Sequence, residues 1–182
     1  MVTVWKQKLM RKAILYGVVL LLILWPLYSL KQMLTHRGES HDANHLLFQV
    51  SVFQMEVLKN YLDEAPQSKS TRDLDAVKQA LYSASYTHDR LVLAAGGSEE
   101  LTGLSFVDQL SQFVQRMQLG GARTLKPDEI QTLKETRDQY DKMYDIYEKL
   151  MASNGDIVSS QNAKLAELDG ALAAFLRKKG LQ

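Results

Sequence analysis

The chain has 182 residues, a formal net charge of +1 and no cysteine. The lack of cysteine excludes a disulfide framework, thiol catalysis and Cys-ligated zinc or iron–sulfur sites. Only four of the 22 basic residues, and none of the 21 acidic ones, precede residue 31. Residues 31–182 are therefore slightly acidic, which argues against a nucleic-acid-binding protein.

The first predicted element is a membrane-spanning helix over Ala13 to Leu30. These 18 residues carry no charged side chain, and as a helix they would cover roughly 27 Å, close to the thickness of the hydrocarbon core. Pro26 is tolerated as a kink near the end of a span, and Trp25 and Tyr28 are typical of the membrane interface. We expect residues 13–30 to lie in membrane lipid.

The charges that flank this segment predict its orientation. Lys6, Lys8, Arg11 and Lys12 precede it, whereas only Lys31 and Arg37 follow it closely. The positive-inside rule then places residues 1–12 in the cytoplasm and residues 31–182 outside the cell membrane. A cleaved signal peptide shares the basic start, but its apolar region is shorter and ends in an A-x-A-like site. The sequence therefore favours a single-pass signal-anchor.

Five helices are predicted in residues 31–182, and the breaks between them are marked by proline, glycine and capping residues. The first runs from Ser40 or Asp42 to Leu62, the second from Ser70 or Thr71 to Gly96, the third from Ser98 to Gly120, the fourth from Pro127 to about Asn154, and the last to Gly180. Short loops favour antiparallel neighbours. The predicted fold class is all-α: one N-terminal transmembrane helix, followed by an antiparallel up-and-down bundle of four to five helices.

Apolar residues recur every three or four positions in these helices, as in coiled coils and bundle cores. The second helix shows the strictest alternation: Leu74, Val77, Leu81, Ala84, His88 and Leu91. The first helix is less clear, because its apolar residues cover a broad face: Leu47, Val50, Phe53 or Met55, Val57, Leu58, Tyr61 and Leu62.

The histidines are candidates for pH-sensitive groups. His41 and His45 have the spacing of an H-E-x-x-H zinc site, with Asp42 in place of glutamate. The shorter aspartate would not reach as a general base does, and no third ligand follows at a recognisable spacing. We therefore predict two solvated histidines that titrate near pH 6 to 7. On the predicted second helix, His88 suggests a partly buried histidine satisfied by a neighbour, with a ligand or a pH switch as the alternative.

No other pattern predicts catalysis. Gly96-Gly97-Ser98 is followed by two glutamates and no lysine, so it is not a phosphate-binding loop, and no nucleophile elbow is present. We predict no catalytic, cofactor or metal site, and hence no enzyme. The candidate interaction residues are tyrosines, which suit core packing and interfaces alike: Tyr82, Tyr86, Tyr140, Tyr144 and Tyr147.

Two features of the sequence resemble a known protein family: the order of its elements, which is a short basic start, one anchor and then helices, and three segments. The segments run from Phe106 to Leu110, from Leu125 to Lys134 and from Tyr147 to Leu150. They are similar to the N-terminal helical region of the YpeB-like spore germination proteins of endospore-forming bacteria. The resemblance implies an anchored protein at the spore inner membrane that stabilises a partner cortex-lytic enzyme. This chain differs in lacking the C-terminal PepSY-type domains of that family, so no site residue is transferred.

These observations favour a bacterial membrane-anchored, non-enzymatic interaction protein that contacts a protein partner, such as a cell-wall hydrolase, or a second copy of itself. The alternative is a helical ectodomain that senses a ligand or a partner and lacks its own output domain.

Overall fold

The computed structural model describes residues 43–180, together with Trp25. Five α-helices account for most of this part, and no strand occurs within it apart from one isolated bridge between Met151 and Ile157. The helices are α1 (43–64), α2 (Asp75–Ala94), α3 (Ser105–Leu119), α4 (Pro127–Tyr147) and α5 (Ser159–Gly180). Two short 3-10 helices, Ala65–Gln67 and Thr71–Leu74, join α1 to α2. The predicted all-α class is confirmed for the described residues.

Contacts between helix ends show which helices are antiparallel. The start of one helix meets the end of its neighbour in three pairs: Asn44 with Ala94 (α1, α2), Lys78 with Gln118 (α2, α3), and Phe48 with Tyr147 (α1, α4). Chain neighbours α1 and α2, and α2 and α3, therefore run in opposite directions, as short loops predict.

Helices α3 and α5 pack side by side and run in the same direction. The backbone N–H of Phe106, at the start of α3, donates to Asp169 of α5. At the other end, the Arg116 guanidinium donates to the carbonyl of Gly180. Helix α5 also packs against α4, so the last helix closes the bundle between two earlier ones.

Local sequence signals account for several helix boundaries. Ser70 accepts a hydrogen bond from the backbone of Arg72, while Asp73 accepts one from the backbone of Ser70, which is a capping box. Pro127 is the first residue of α4, where its missing N–H costs nothing. Gly155 has a φ of +83°, which glycine adopts readily, and it lies in the predicted break before α5.

Two predicted boundaries are wrong. The third helix begins at Ser105 rather than Ser98, because residues 98–104 form a turn and an irregular segment that is held by contacts with distant residues. The amide of Asn162, on α5, accepts from the N–H of Thr102 and donates to the carbonyl of Glu100. The fourth helix ends at Tyr147 instead of near Asn154, since the chain turns there and pairs at the Met151 bridge.

The core confirms the predicted faces of α2 and α3. All six seam residues predicted for the second helix are buried: Leu74 lies at the end of the second 3-10 helix, and the other five lie on α2. The predicted face of α3 is buried as well: Phe106, Val107, Leu110, Phe113, Val114 and Met117.

Within the described part of the chain, no helix is both long enough and apolar enough to cross a membrane. The predicted anchor, residues 13–30, lies outside the described residues except for Trp25.

Candidate interaction surfaces

Two tyrosines predicted as interaction residues lie together on the outside of α2. Tyr82 is 74% exposed and Tyr86 is 51% exposed. Their rings stack with centroids 6.5 Å apart and an interplanar angle of 18°. The Arg90 guanidinium lies 4.9 Å from the centre of the Tyr86 ring, within cation–π range. Leu93 extends the same helix face and is also exposed. These four residues are called the α2 tyrosine patch below.

An open groove of about 590 Å³ adjoins this patch, between α2 and α3. Lys78 lies at its edge, but its ammonium already contacts Asp75 at 3.0 Å and Gln118 at 2.9 Å. The hydrogen bond from Lys78 lowers the pKa of Asp75. The groove is lined mainly by small and polar side chains: Lys78, Gln79, Leu81, Tyr82, Ser83, Ser85, Val107, Asp108, Ser111 and Gln115.

The other three candidate tyrosines, all on α4, are buried. Tyr140 donates a 2.9 Å hydrogen bond to the carbonyl of Met55 on α1, and its ring meets Phe106 at 5.6 Å. Burial raises the pKa of Tyr140 and raises that of Tyr144 to about 12. Tyr147 is likewise fully buried. These three side chains pack the core and are not accessible to a partner.

His88 is fully buried and joins α2 to α4 and to the loop before α3. Its Nε2 lies 2.8 Å from the carbonyl of Thr102, which can only accept, so Nε2 carries the proton. Its Nδ1 then accepts from the Tyr147 hydroxyl at 2.9 Å. Burial lowers the pKa of His88, and the bond to Thr102 opposes this effect to a smaller extent. His88 is thus the satisfied core histidine that the sequence suggests.

The predicted histidine pair is only partly described. His45 is exposed on α1, and His41 lies outside the described residues. Across residues 43–180, no three His, Asp or Glu side chains are grouped so that they could hold a metal ion.

Two features of the structure were not predicted from the sequence. Asp169, a buried residue of α5, caps the start of α3: it accepts from the Ser105 hydroxyl at 2.6 Å and from the Phe106 N–H at 2.9 Å. No local pattern marks this cap, since donor and acceptor are more than 60 residues apart.

The second unpredicted feature is an apolar surface on α1. Its members share one side of the helix and are exposed, except for Val57, which is half-buried and packs against the chain's own core. We call this surface the outer face of α1: Leu46, Val50, Phe53, Val57 and Tyr61. The helix therefore has two apolar faces, and the predicted broad face combined parts of both.

A paired charge fixes the turn before α4. The Arg123 guanidinium contacts both carboxylate oxygens of Glu129, at 2.8 and 2.5 Å. Glu129 also accepts from the N–H of Lys126. The bond from Arg123 lowers the pKa of Glu129. This pair therefore has a structural role.

No family model, curated protein or solved structure matches this chain. The resemblance to the YpeB-like spore germination family therefore stays a prediction.

Proposed function

We propose that this chain is a membrane-anchored, non-enzymatic protein whose helical body, on the outer side of the cell membrane, binds another protein through the α2 tyrosine patch. The observation that carries the proposal is the pair of stacked, exposed tyrosines with Arg90 over one ring.

The composition of the patch supports protein binding. Tyrosine and arginine are enriched among the residues that contribute most to the stability of protein complexes. Burying Tyr82 and Tyr86 against a partner would remove large apolar rings from water while leaving each hydroxyl free to bond at the rim. The stacking and the cation–π contact hold the rings in place before binding, which lowers the entropy cost of ordering them.

The resemblance to the spore germination family suggests the class of partner, a cell-wall lytic enzyme. A stabiliser of such an enzyme needs a rigid surface and no chemistry of its own. The anchor predicted at residues 13–30 would hold that surface near the wall, and would place it at the spore inner membrane if expression is linked to sporulation.

Site-specific photocrosslinking tests this proposal in the native membrane. A photoreactive phenylalanine analogue replaces Tyr82 in the full chain, and the matched control carries it at the exposed Gln131 of α4. We expect position 82, but not position 131, to capture a cell-wall hydrolase identified by mass spectrometry. Tyr86→Ala should reduce the yield at position 82 by about tenfold, as expected for a residue worth at least 1.4 kcal/mol of binding. Equal capture from both positions, or none of a hydrolase, would contradict the proposal.

The second candidate function is ligand sensing, which the groove between α2 and α3 favours. A groove of about 590 Å³ beside an exposed aromatic ring has the size of a small-molecule site. Soluble peptidoglycan fragments should then raise the melting temperature of the full chain. In the Ser111→Trp variant, the larger side chain should fill the groove, and the fragments should not raise the melting temperature. An unchanged melting temperature of the native chain would count against sensing of these fragments.

A further inference from the structure

Helix α1 carries apolar residues on two nearly opposite sides. One side packs into the bundle through Phe48, Ser51, Met55, Leu58 and Leu62, all of which are buried. The outer face lies on the other side, where Leu46 is 63% and Phe53 is 58% exposed. A helix needs only one apolar face to join a bundle. Of the outer face, only Val57 packs against the core, and Leu46, Val50, Phe53 and Tyr61 stay exposed.

The outer face has the spacing of a coiled-coil seam. Leu46, Val50, Phe53 and Val57 are separated by four, three and four residues, which matches alternating d and a positions of a heptad. Both a positions are then valine, and the d positions are leucine and phenylalanine. A β-branched residue at a, with leucine at d, favours parallel two-stranded coiled coils.

The flanking side chains are compatible with a second copy. In a parallel coiled coil, the g position precedes each a position and the e position follows each d position. The g residue of one helix faces the e residue five positions further along the other helix. Gln49 would then face Gln54, and Glu56 would face Tyr61. The two amides can bond to each other, and the carboxylate can accept from the phenol, so no like charges meet within this seam.

The nearest basic side chain of α1 is already engaged on the other side. The Lys59 ammonium lies 2.9 Å from Asp141 of α4 within the same chain, and this contact raises the pKa of Lys59. The seam is therefore left with neutral and apolar side chains over its central two turns, together with the single charge of Glu56.

We propose that two copies of the chain associate in parallel through the outer face of α1. Because α1 offers only about two heptads of seam, the buried area falls short of the roughly 800 Å² per partner that is usual in stable complexes. The dimer should therefore be weak and dependent on concentration. It uses a different helix face from the α2 tyrosine patch, so it does not depend on the proposed function.

Disulfide crosslinking is a clean test because the chain contains no cysteine. Single variants Leu46→Cys, Phe53→Cys and Asn60→Cys place a thiol at successive d positions of the full chain. We expect all three to form disulfide-linked dimers under mild oxidation, while Leu119→Cys, at the exposed end of α3, should stay monomeric. Crosslinking at only one of the three positions indicates antiparallel helices, and absence at all three rules out the seam; either result overturns the proposal.

Two variants with opposite charges at position 53 provide a second test, in which the dimer fraction is measured. Phe53→Glu introduces like charges at the centre of the seam and should lower the dimer fraction in analytical ultracentrifugation at least tenfold. Helical content should not change, because Phe53 is exposed in the single chain. Phe53→Lys should behave likewise alone and recover the dimer when mixed with Phe53→Glu. The inference is contradicted if either variant alone keeps the dimer fraction of the native chain.

These experiments also separate this inference from the proposed function. Phe53→Glu should leave photocapture of a hydrolase from position 82 intact if both surfaces work as proposed. If the native chain forms no dimer but still captures a hydrolase from position 82, only the α1 dimer is refuted. If it forms the dimer but captures no hydrolase, only the α2 tyrosine patch is refuted. A crosslink from Phe53→Cys to a different protein would assign the outer face to another partner and overturn self-association.

Discussion

His88 shows how a single buried residue can make this fold sensitive to pH. It has hydrogen-bond partners on both ring nitrogens, and neither partner carries a charge that would stabilise an imidazolium. Burial is the largest cause of its lowered pKa. The neutral ring is therefore the form that the folded state favours, whereas the unfolded chain would bind a proton near pH 6.5.

We expect the free energy of unfolding to fall as the pH is lowered below about 6.5, by up to about 1.4 kcal/mol per pH unit until the lowered pKa of His88 is reached. The sign follows because the unfolded state binds more protons in this range. Chemical denaturation of the full chain at a series of pH values measures the slope. His88→Gln should remove it, although the variant will be less stable at every pH. His45→Gln alters an exposed histidine and is the matched control, and an equal loss of slope in this variant would contradict the assignment to His88. A slope that survives in His88→Gln would assign it to other groups.

At the scale of the helix, α3 depends on a cap supplied by α5. The residues before Ser105 form no side-chain cap, because the N-cap position is Leu104. Asp169 supplies the missing acceptor from a neighbouring helix that runs parallel to α3. A negative charge at a helix N-terminus is also favoured by the helix dipole.

Asp169→Ala should destabilise the protein by about 1–3 kcal/mol, because it leaves the buried Phe106 N–H without an acceptor. Hydrogen exchange should accelerate most in the first turn of α3. Glu167→Ala, at an exposed position of the same helix, is the matched control and should change stability by less than about 0.5 kcal/mol. Equal effects of the two variants would show that Asp169 does not act as a cap.

At the scale of the whole molecule, residues 43–180 form a bundle with a filled core and with exposed apolar side chains on the outside of α1 and α2. The core is closed by tyrosines from α4, and the outer face of α1 and the α2 tyrosine patch stay accessible. Exposed apolar surfaces of this kind usually mark interaction sites. The proposed role in binding another protein rests on these exposed surfaces.

The proposed topology makes a prediction for the intact cell. Protease added to cells without their wall should remove the part of the chain after residue 31, whereas the cytoplasmic residues 1–12 should be protected. Mass spectrometry of the mature protein should find an N-terminus upstream of Ala13. Protection of the bundle would reverse the orientation, and a mature N-terminus beyond Lys31 would show that the segment is a cleaved signal.

The sequence by itself determined the helical class, the buried faces of α2 and α3, the cap at Ser70, the start of α4 at Pro127 and the existence of a break around Gly155. These features are local, because heptad spacing, proline and capping residues act on neighbours within one or two turns.

Tertiary structure alone decided the rest. Both sides of α1 are apolar, so only packing shows that Met55 faces the core while Phe53 faces outward. The start of α3 is set by Asn162 and Asp169, which are distant in the chain but adjacent in the bundle. The five candidate tyrosines look alike in sequence and separate into core and surface for the same reason: burial depends on which helices meet, and one helix does not encode its neighbours.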